Sequence, residues 1–209
     1  VTNHSTIQET GRRATLAVLA GGEGRRMGGP KSDLTLEGRP ILERLFDRLN
    51  WPGPTILVTA PGREHPAGWQ RFTREATDPI AGQGPMRGVL TALESASTDE
   101  VVVIPVDMPN VTSNRLAWLA GRLRETAEAA AIMLMRYGRT EPLPAAFRPV
   151  AAEHLLRAHL AEGRLALHSL TETPEVIVIP EPPDWPSDFW LNLNTPSDLA
   201  SHSAGARSP

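Results

Sequence analysis

The chain has 209 residues, enough for one domain with a sizeable core and short for two. Its formal net charge of −3 gives no general excess of positive charge, so neither a nucleic-acid binder nor an anionic-membrane binder is indicated. The absence of cysteine removes disulfides, thiolate metal sites and a cysteine nucleophile, and fits a reducing compartment.

Residues 1–13 are polar and lack the apolar centre of a secretory signal; with 203–209 they read as flexible tails. No stretch approaches the roughly 18 apolar residues of a membrane span. A soluble cytoplasmic protein is expected. ATLAVLA (14–20) predicts a first buried strand, which empties into a glycine-rich loop. PILERLFDRLN (40–50) carries Ile41, Leu42, Leu45, Phe46 and Leu49 at helical spacing, with Pro40 suited to a first turn. TILVTA (55–60) predicts a second strand. PMRGVLTALESAS (85–97) predicts a helix with Val89, Leu90 and Leu93 on one face. EVVVIPVD (100–107) is a continuous apolar run, the pattern of a strand buried on both faces.

The alternation continues with a helix over 113–129, a strand over 131–136 and a Pro-bounded extended segment over 142–149. A helix over 150–163 ends on Gly163, a suitable C-cap residue. EVIVIP (175–180) predicts the last strand, and TPSDLASH (195–202) a short helix capped by Thr195 or Ser197. Strands and helices in this order predict an open α/β sandwich with a mostly parallel sheet. In such sheets the ligand crevice lies outside the carboxyl ends of the strands. The loop after Ala20, the stretch after Ala60 and the turn beginning at Asp107 are therefore expected to share one edge.

The loop LAGGEGRRMGGPKSDL (19–34) holds the only lysine of the chain, Lys31. A strand running into Gly21, Gly22 and Gly24 presents backbone N–H groups that can wrap a phosphate chain. Arg25, Arg26 and Lys31 add charge where those phosphates would lie. Lysine offers a compact point charge where arginine offers a broad planar fork, so it suits a single phosphate oxygen in a tight space. The bland alternative is a solvated turn. A dinucleotide fingerprint fails, because Gly22-Glu23-Gly24 would need glycine at Met27. A P-loop nearly matches from Gly24 through Gly29 to Lys31-Ser32, with a strand ending in Asp107 as its metal-associated partner; Pro30 intrudes, and Lys31 lies far beyond the first strand.

Asp107, at the end of VVVIPVDMP, can hold Mg²⁺ or simply cap the turn that Pro109 enforces. Asp78, in ATDPIAGQGPMRG (76–88), can contact a ribose or assist at a metal; Asp-Pro also starts turns. Gly84 and Gly88 allow backbone to approach a ligand. Asn192 and Asn194 share one side of an extended WLNLNTP (190–196), where they also suit turn and capping roles. The six histidines form no metal set: His154 and His159 miss the i, i+4 spacing. No G-x-S-x-G elbow is present, and Trp69, Trp118 and Trp185 suit packing rather than base stacking.

LAGGEGRRMGGPK resembles the opening signature of nucleotidyltransferases, L-A-G-G-x-G-x-R-M-G with a nearby lysine. Within them the chain is most similar to the molybdenum cofactor guanylyltransferases. The likeness continues through GRPILERLFDRL, DPIAGQGPMRGVLTAL, VIPVDMP, EPLPAAFRP and LNLNTPSDL and covers nearly all of residues 15–200. It implies a single-domain, Rossmann-like three-layer α/β/α fold of the nucleotide-diphospho-sugar transferase type over 14–202. It implies transfer of GMP from GTP to molybdenum-bound molybdopterin, with Mg²⁺, and release of pyrophosphate. Leu19, Ala20, Gly21 and Gly22 would line the nucleotide, Lys31 would meet its phosphates, and Asp78 would help hold it. Asp107 would bind GTP through Mg²⁺, and Gly84, Asn192 and Asn194 would lie on the molybdopterin side. Lys31, Arg25 and Asp107 form the expected catalytic set, with transient contact to proteins that donate or receive the cofactor.

The chemistry agrees with those roles. The terminal phosphate of molybdopterin is already a nucleophile at neutral pH, so alignment and cationic stabilisation supply most of the catalysis. Two positions depart from the family. Pro30 precedes Lys31 where many members carry Asp, and Thr59 stands where guanylyltransferases tend to carry an Asn that touches the nucleotide. A cytidylyltransferase, a relative acting on another small phosphate, and a molybdopterin carrier remain alternatives.

Overall fold

The computed structural model describes residues 9, 13–22, 24 and 29–199. Its centre is a seven-stranded sheet in the order β5-β4-β1-β6-β8-β7-β9. The strands are β1 (Ala14–Leu19), β4 (Thr55–Thr59), β5 (Arg74–Thr77), β6 (Glu100–Pro105), β7 (Ala131–Arg136), β8 (Arg139–Phe147) and β9 (Val176–Pro180). A separate two-stranded hairpin joins β2 (Thr35–Leu36) to β3 (Arg39–Pro40). In the large sheet β8 alone runs against its neighbours, antiparallel to both β6 and β7; the other pairings are parallel.

Alternation along the strands splits the core into two layers, one on each face. From β1 and β6, Leu16, Val18, Val102 and Ile104 face one side, while Ala17, Val101 and Val103 face the other. The first side is covered by α1 (Ile41–Leu49) and α3 (Ser113–Glu125), the second by α2 (Gly84–Ser95) and α4 (Pro149–Ala161). On α1 the apolar residues Ile41, Leu42, Leu45 and Leu49 recur at helical spacing and are all buried. Each such side chain contributes about 1.5–3 kcal/mol relative to exposure. This is the three-layer α/β/α sandwich, and every long apolar run lies on the element expected for it.

The differences from expectation lie at ends and edges. Helix α3 stops at Glu125 rather than 129, where Ala129 and Ala130 turn into β7. Strand β6 stops at Pro105, leaving Asp107 in the turn beyond it. The extended 142–149 segment is the larger part of β8. Two features have no counterpart in the sequence reading: the edge strand β5, whose REAT sequence is too short and polar to stand out, and the β2–β3 hairpin. Gly163 sits at φ +73° just past α4. Its N–H donates to Leu160 O at 3.0 Å and that of Arg164 to His159 O at 2.9 Å, the paired bonds of a Schellman cap. Of the final helix, 196–199 are helical; its remaining residues lie outside the described ones. Among the described residues no helix is long and apolar enough to cross a membrane.

Candidate active site

Because β1, β4, β5 and β6 are parallel, their carboxyl ends emerge on one edge, and backbone bonds knit the loops there together. Ala20 N–H donates to Val58 O at 2.8 Å, Val106 N–H to Leu19 O at 3.1 Å and Asp78 N–H to Thr59 O at 2.9 Å. Along this edge runs a cleft of about 610 Å³, walled by Gly21 and Gly22 after β1, Ala60, Pro61 and Arg63 after β4, Asp78 after β5 and Asp107 after β6. A second cleft of about 570 Å³ lies on the β8 side, bordered by Glu141, His168 and Asn192. The two clefts share Gly82, Gly84, Pro85, Pro105, Asp107 and Leu143, so they meet at Asp107.

Lys31 stands at that junction. It opens a short 3-10 turn, Lys31–Asp33, and its ammonium forms an ion pair with Asp107 Oδ2. It also donates to Asn194 Oδ1 at 2.6 Å. An ammonium has three donors; these two bonds leave one for a ligand. The carboxylate side chain of Asp107 is 9% exposed, so the pair is largely out of water. Attraction in such a place is offset by desolvation, which makes the pair a poor device for stability alone. The turn carrying Asn194 is fixed from two directions. Leu193 N–H donates to Asp107 O at 2.9 Å. Asp198 accepts the N–H groups of Asn194 (2.9 Å) and Thr195 (2.8 Å), while its own N–H donates to Thr195 Oγ1 at 3.2 Å. That reciprocal pair is a capping box with Asp in the third position.

Asp78 has a different environment. Its Oδ1 is buried without a hydrogen-bond partner. Burial pushes its pKa up, partly opposed by the Thr91 hydroxyl and the Arg87 guanidinium. A buried acceptor with no partner, in a cleft wall, suits a ligand donor. On the far side of the glycine loop, Arg63 Nη1 donates to Gly22 O at 3.2 Å. Gly24 is at φ +57°, and a Cβ there would lie 1.9 Å from Gly29 O. Only glycine fits that fold-back.

Residues 16–176 match the family described as MobA-like NTP transferase domain. The chain belongs to this family. A molybdenum cofactor guanylyltransferase from Cereibacter sphaeroides is 35% identical over 187 residues, covering 88% of this chain and 92% of the relative. A probable molybdenum cofactor guanylyltransferase from Thermococcus kodakarensis is 30% identical over 88% of this chain and 90% of its own length. Among solved structures, molybdopterin-guanine dinucleotide biosynthesis protein A from Archaeoglobus fulgidus superposes with a TM-score of 0.78 at 26% identity, over 92% of this chain and 98% of that one. The 2-C-methyl-D-erythritol 4-phosphate cytidylyltransferase from Thermus thermophilus, 20% identical with a TM-score of 0.65 over 92% and 98% of the two chains, shares the fold. This chain is thus a nucleotidyltransferase.

As a MobA-like chain it brings Leu19, Gly21, Gly22, Lys31, Asp78, Gly84 and Asp107 to the first cleft. Ala20 is buried beneath it. Asn192 borders the second cleft, where its Nδ2 donates to Trp190 O at 3.0 Å. Asn194 instead turns to Lys31, so the two asparagines part company. Arg25 and Arg26 lie outside the described residues. Thr59 is buried, 3.0 Å from Glu75 Oε1 and 3.3 Å from Thr77 Oγ1, and does not line the cleft. Arg63, which lines the first cleft, carries no local sequence pattern, whereas the T-x-x-D spacing after Thr195 signals the turn-holding Asp198.

Proposed function

We propose that this protein transfers GMP from GTP to molybdenum-bound molybdopterin as a soluble cytoplasmic enzyme. A terminal phosphate oxygen of molybdopterin attacks the α-phosphorus of GTP, one P–O bond forms, the bond to the β-phosphate oxygen breaks, and pyrophosphate leaves. The names of the relatives support the choice of substrates. The single observation that carries the reading is the position of Lys31, beside Asp107 where the two clefts join. One cleft takes the nucleotide, the other the acceptor, and the reacting phosphorus sits between them.

In this reading the backbone N–H groups of Gly21 and Gly22 receive the triphosphate and Asp78 accepts from the nucleoside. Lys31 turns its remaining donor to a phosphate oxygen, where charge grows as the bond to pyrophosphate lengthens. Asn194 and Asp107 keep the ammonium at the junction, so little reorganisation accompanies the step. In the same reading Arg25 would add a second cation for the phosphate charge. The donor set fits Mg²⁺. Among the described residues no three His, Asp or Glu side chains converge on a metal site. Mg²⁺ needs only one or two carboxylates, with water and substrate phosphates completing its shell. Asp107 would hold it, and the ion would supply neutralisation of the triphosphate charge.

The test is reconstitution with Mg²⁺, molybdenum-bound molybdopterin and either GTP or CTP, with pyrophosphate and the dinucleotide product measured. Acceptor-dependent pyrophosphate release with GTP is the expected result. The same with CTP alone transfers the chain to the cytidylyl branch. Steady hydrolysis without acceptor contradicts the transferase step.

A further inference from the structure

The first cleft is lined mostly by glycine and apolar residues, and few of its side chains can read a base. Among the described residues those with hydrogen-bonding side chains are Lys31, Arg63, Asp78, Gln83 and Asp107. Lys31 and Asp107 are paired at the β6 end, where the second cleft begins. In the guanylyltransferase reading the phosphates run from that end to the glycine loop after β1, and a nucleotide continuing along the cleft toward β4 brings its base beside Ala60, Pro61 and Arg63. Thr59, the other polar residue close by, has its hydroxyl engaged with Glu75 and does not line the cleft. Arg63 is the cation at this end. Its guanidinium is held over the glycine loop by the bond to Gly22 O.

We propose that Arg63 is a specificity-determining residue that reads the guanine base, donating in a fork to O6 and N7. This rests on the guanylyltransferase reading above. A guanidinium fork matches the two adjacent acceptors on that edge of guanine. Adenine offers an acceptor and a donor there, so one arm of the fork meets a like dipole. Cytosine offers no such pair of acceptors in that position. Arg63 thereby supplies base recognition that the short, internally bonded Thr59 side chain does not. The bond to Gly22 O ties one arm of Arg63 to the glycine loop and leaves its other N–H groups for the base.

The test is equilibrium binding of GTP, 7-deaza-GTP and CTP, in Mg²⁺, to wild type, Arg63→Ala and Arg63→Lys. In wild type, replacing N7 by carbon weakens binding, and GTP binds more tightly than CTP. In Arg63→Ala the affinity for GTP falls by about 5- to 150-fold, the range for one bidentate base contact. GTP and 7-deaza-GTP then bind alike, and CTP binding is unchanged. Arg63→Lys keeps the charge but not the fork, and also loses the distinction between GTP and 7-deaza-GTP. An equal loss for GTP and CTP in Arg63→Ala overturns the assignment in favour of a phosphate contact. So does a variant that still distinguishes GTP from 7-deaza-GTP. A wild type that prefers CTP removes the guanylyltransferase reading itself, and the assignment with it. Arg63 is exposed at the cleft mouth, and circular dichroism of the two variants identifies any loss of fold.

Discussion

Lys31 Nζ donates to Asn194 Oδ1 at 2.6 Å, joining the two ends of the chain across 163 positions of sequence. The same ammonium is paired with Asp107. Replacing it removes the cation from the cleft junction and leaves a buried carboxylate without its partner. Lys31→Ala is expected to cut turnover by about 10²–10³-fold, the usual cost of one preorganised donor. Lys31→Arg is expected not to restore it, because a planar fork cannot serve Asn194, Asp107 and a phosphate from one point. Steady-state kinetics of the two variants check this; activity of Lys31→Ala within about threefold of wild type would sink the role.

Asp198 touches neither cleft, yet it holds the turn that carries Asn194. Bonds from the N–H groups of Asn194 and Thr195 and from the Thr195 hydroxyl keep its carboxyl below the ordinary value of 3.8. A depressed pKa in the folded state means that the clamp is fully present above that value and is lost as pH falls through the lower, folded one. Asp198→Ala is expected to lower kcat about tenfold through misplacement of Asn194 and Lys31, with KM for GTP little changed. Asp198→Asn keeps an acceptor oxygen and recovers most of the rate. Equal kcat in Asp198→Ala and wild type would show that the capping box serves the helix alone.

Asp78 is costly to the folded protein. Burial raises its pKa, so the native state binds a proton more readily than the unfolded chain, and stability falls as pH rises through the unfolded value toward the folded one. Once ionised, Asp78 therefore works against folding. Asp78→Asn is expected to raise Tm by about 1–3 °C while weakening nucleotide binding at least tenfold, a trade of activity for stability. Thermal unfolding and nucleotide titration of the same variant check both halves. A lower Tm would contradict the burial argument.

Gly24 allows the glycine-rich loop to bring its backbone against Gly29. A methyl group at this position would meet Gly29 O at 1.9 Å in a backbone conformation that disfavours any side chain. Gly24→Ala is expected to weaken GTP binding by more than tenfold and to leave the sheet core folded, since the loop lies outside both apolar layers. Near-native circular dichroism with lost binding is the expected pair of results; unchanged binding would place the loop away from the phosphates.

Much of this arrangement is legible in the chain. Continuous apolar runs such as EVVVIP announce central strands because both faces are covered. The shared carboxyl edge then follows from their parallel direction. What was not legible depends on tertiary partners. REAT is a strand because β4 offers it an open edge, not because of its own composition. Asn192 and Asn194 look equivalent in sequence, but Asp198 and Leu193 fix the turn so that one borders the second cleft and the other meets Lys31. Thr59 looks like a weakened nucleotide contact until Glu75 is seen to occupy its hydroxyl. Arg63, which does line the cleft, comes from a loop with no motif.

The most direct measurement is calorimetric titration of wild type and Lys31→Ala with GTP, CTP, ATP and UTP in Mg²⁺. The account predicts a preference for GTP that depends on Mg²⁺ and collapses in the variant. Indifference to the base, or GTP binding that survives loss of Lys31, would contradict it.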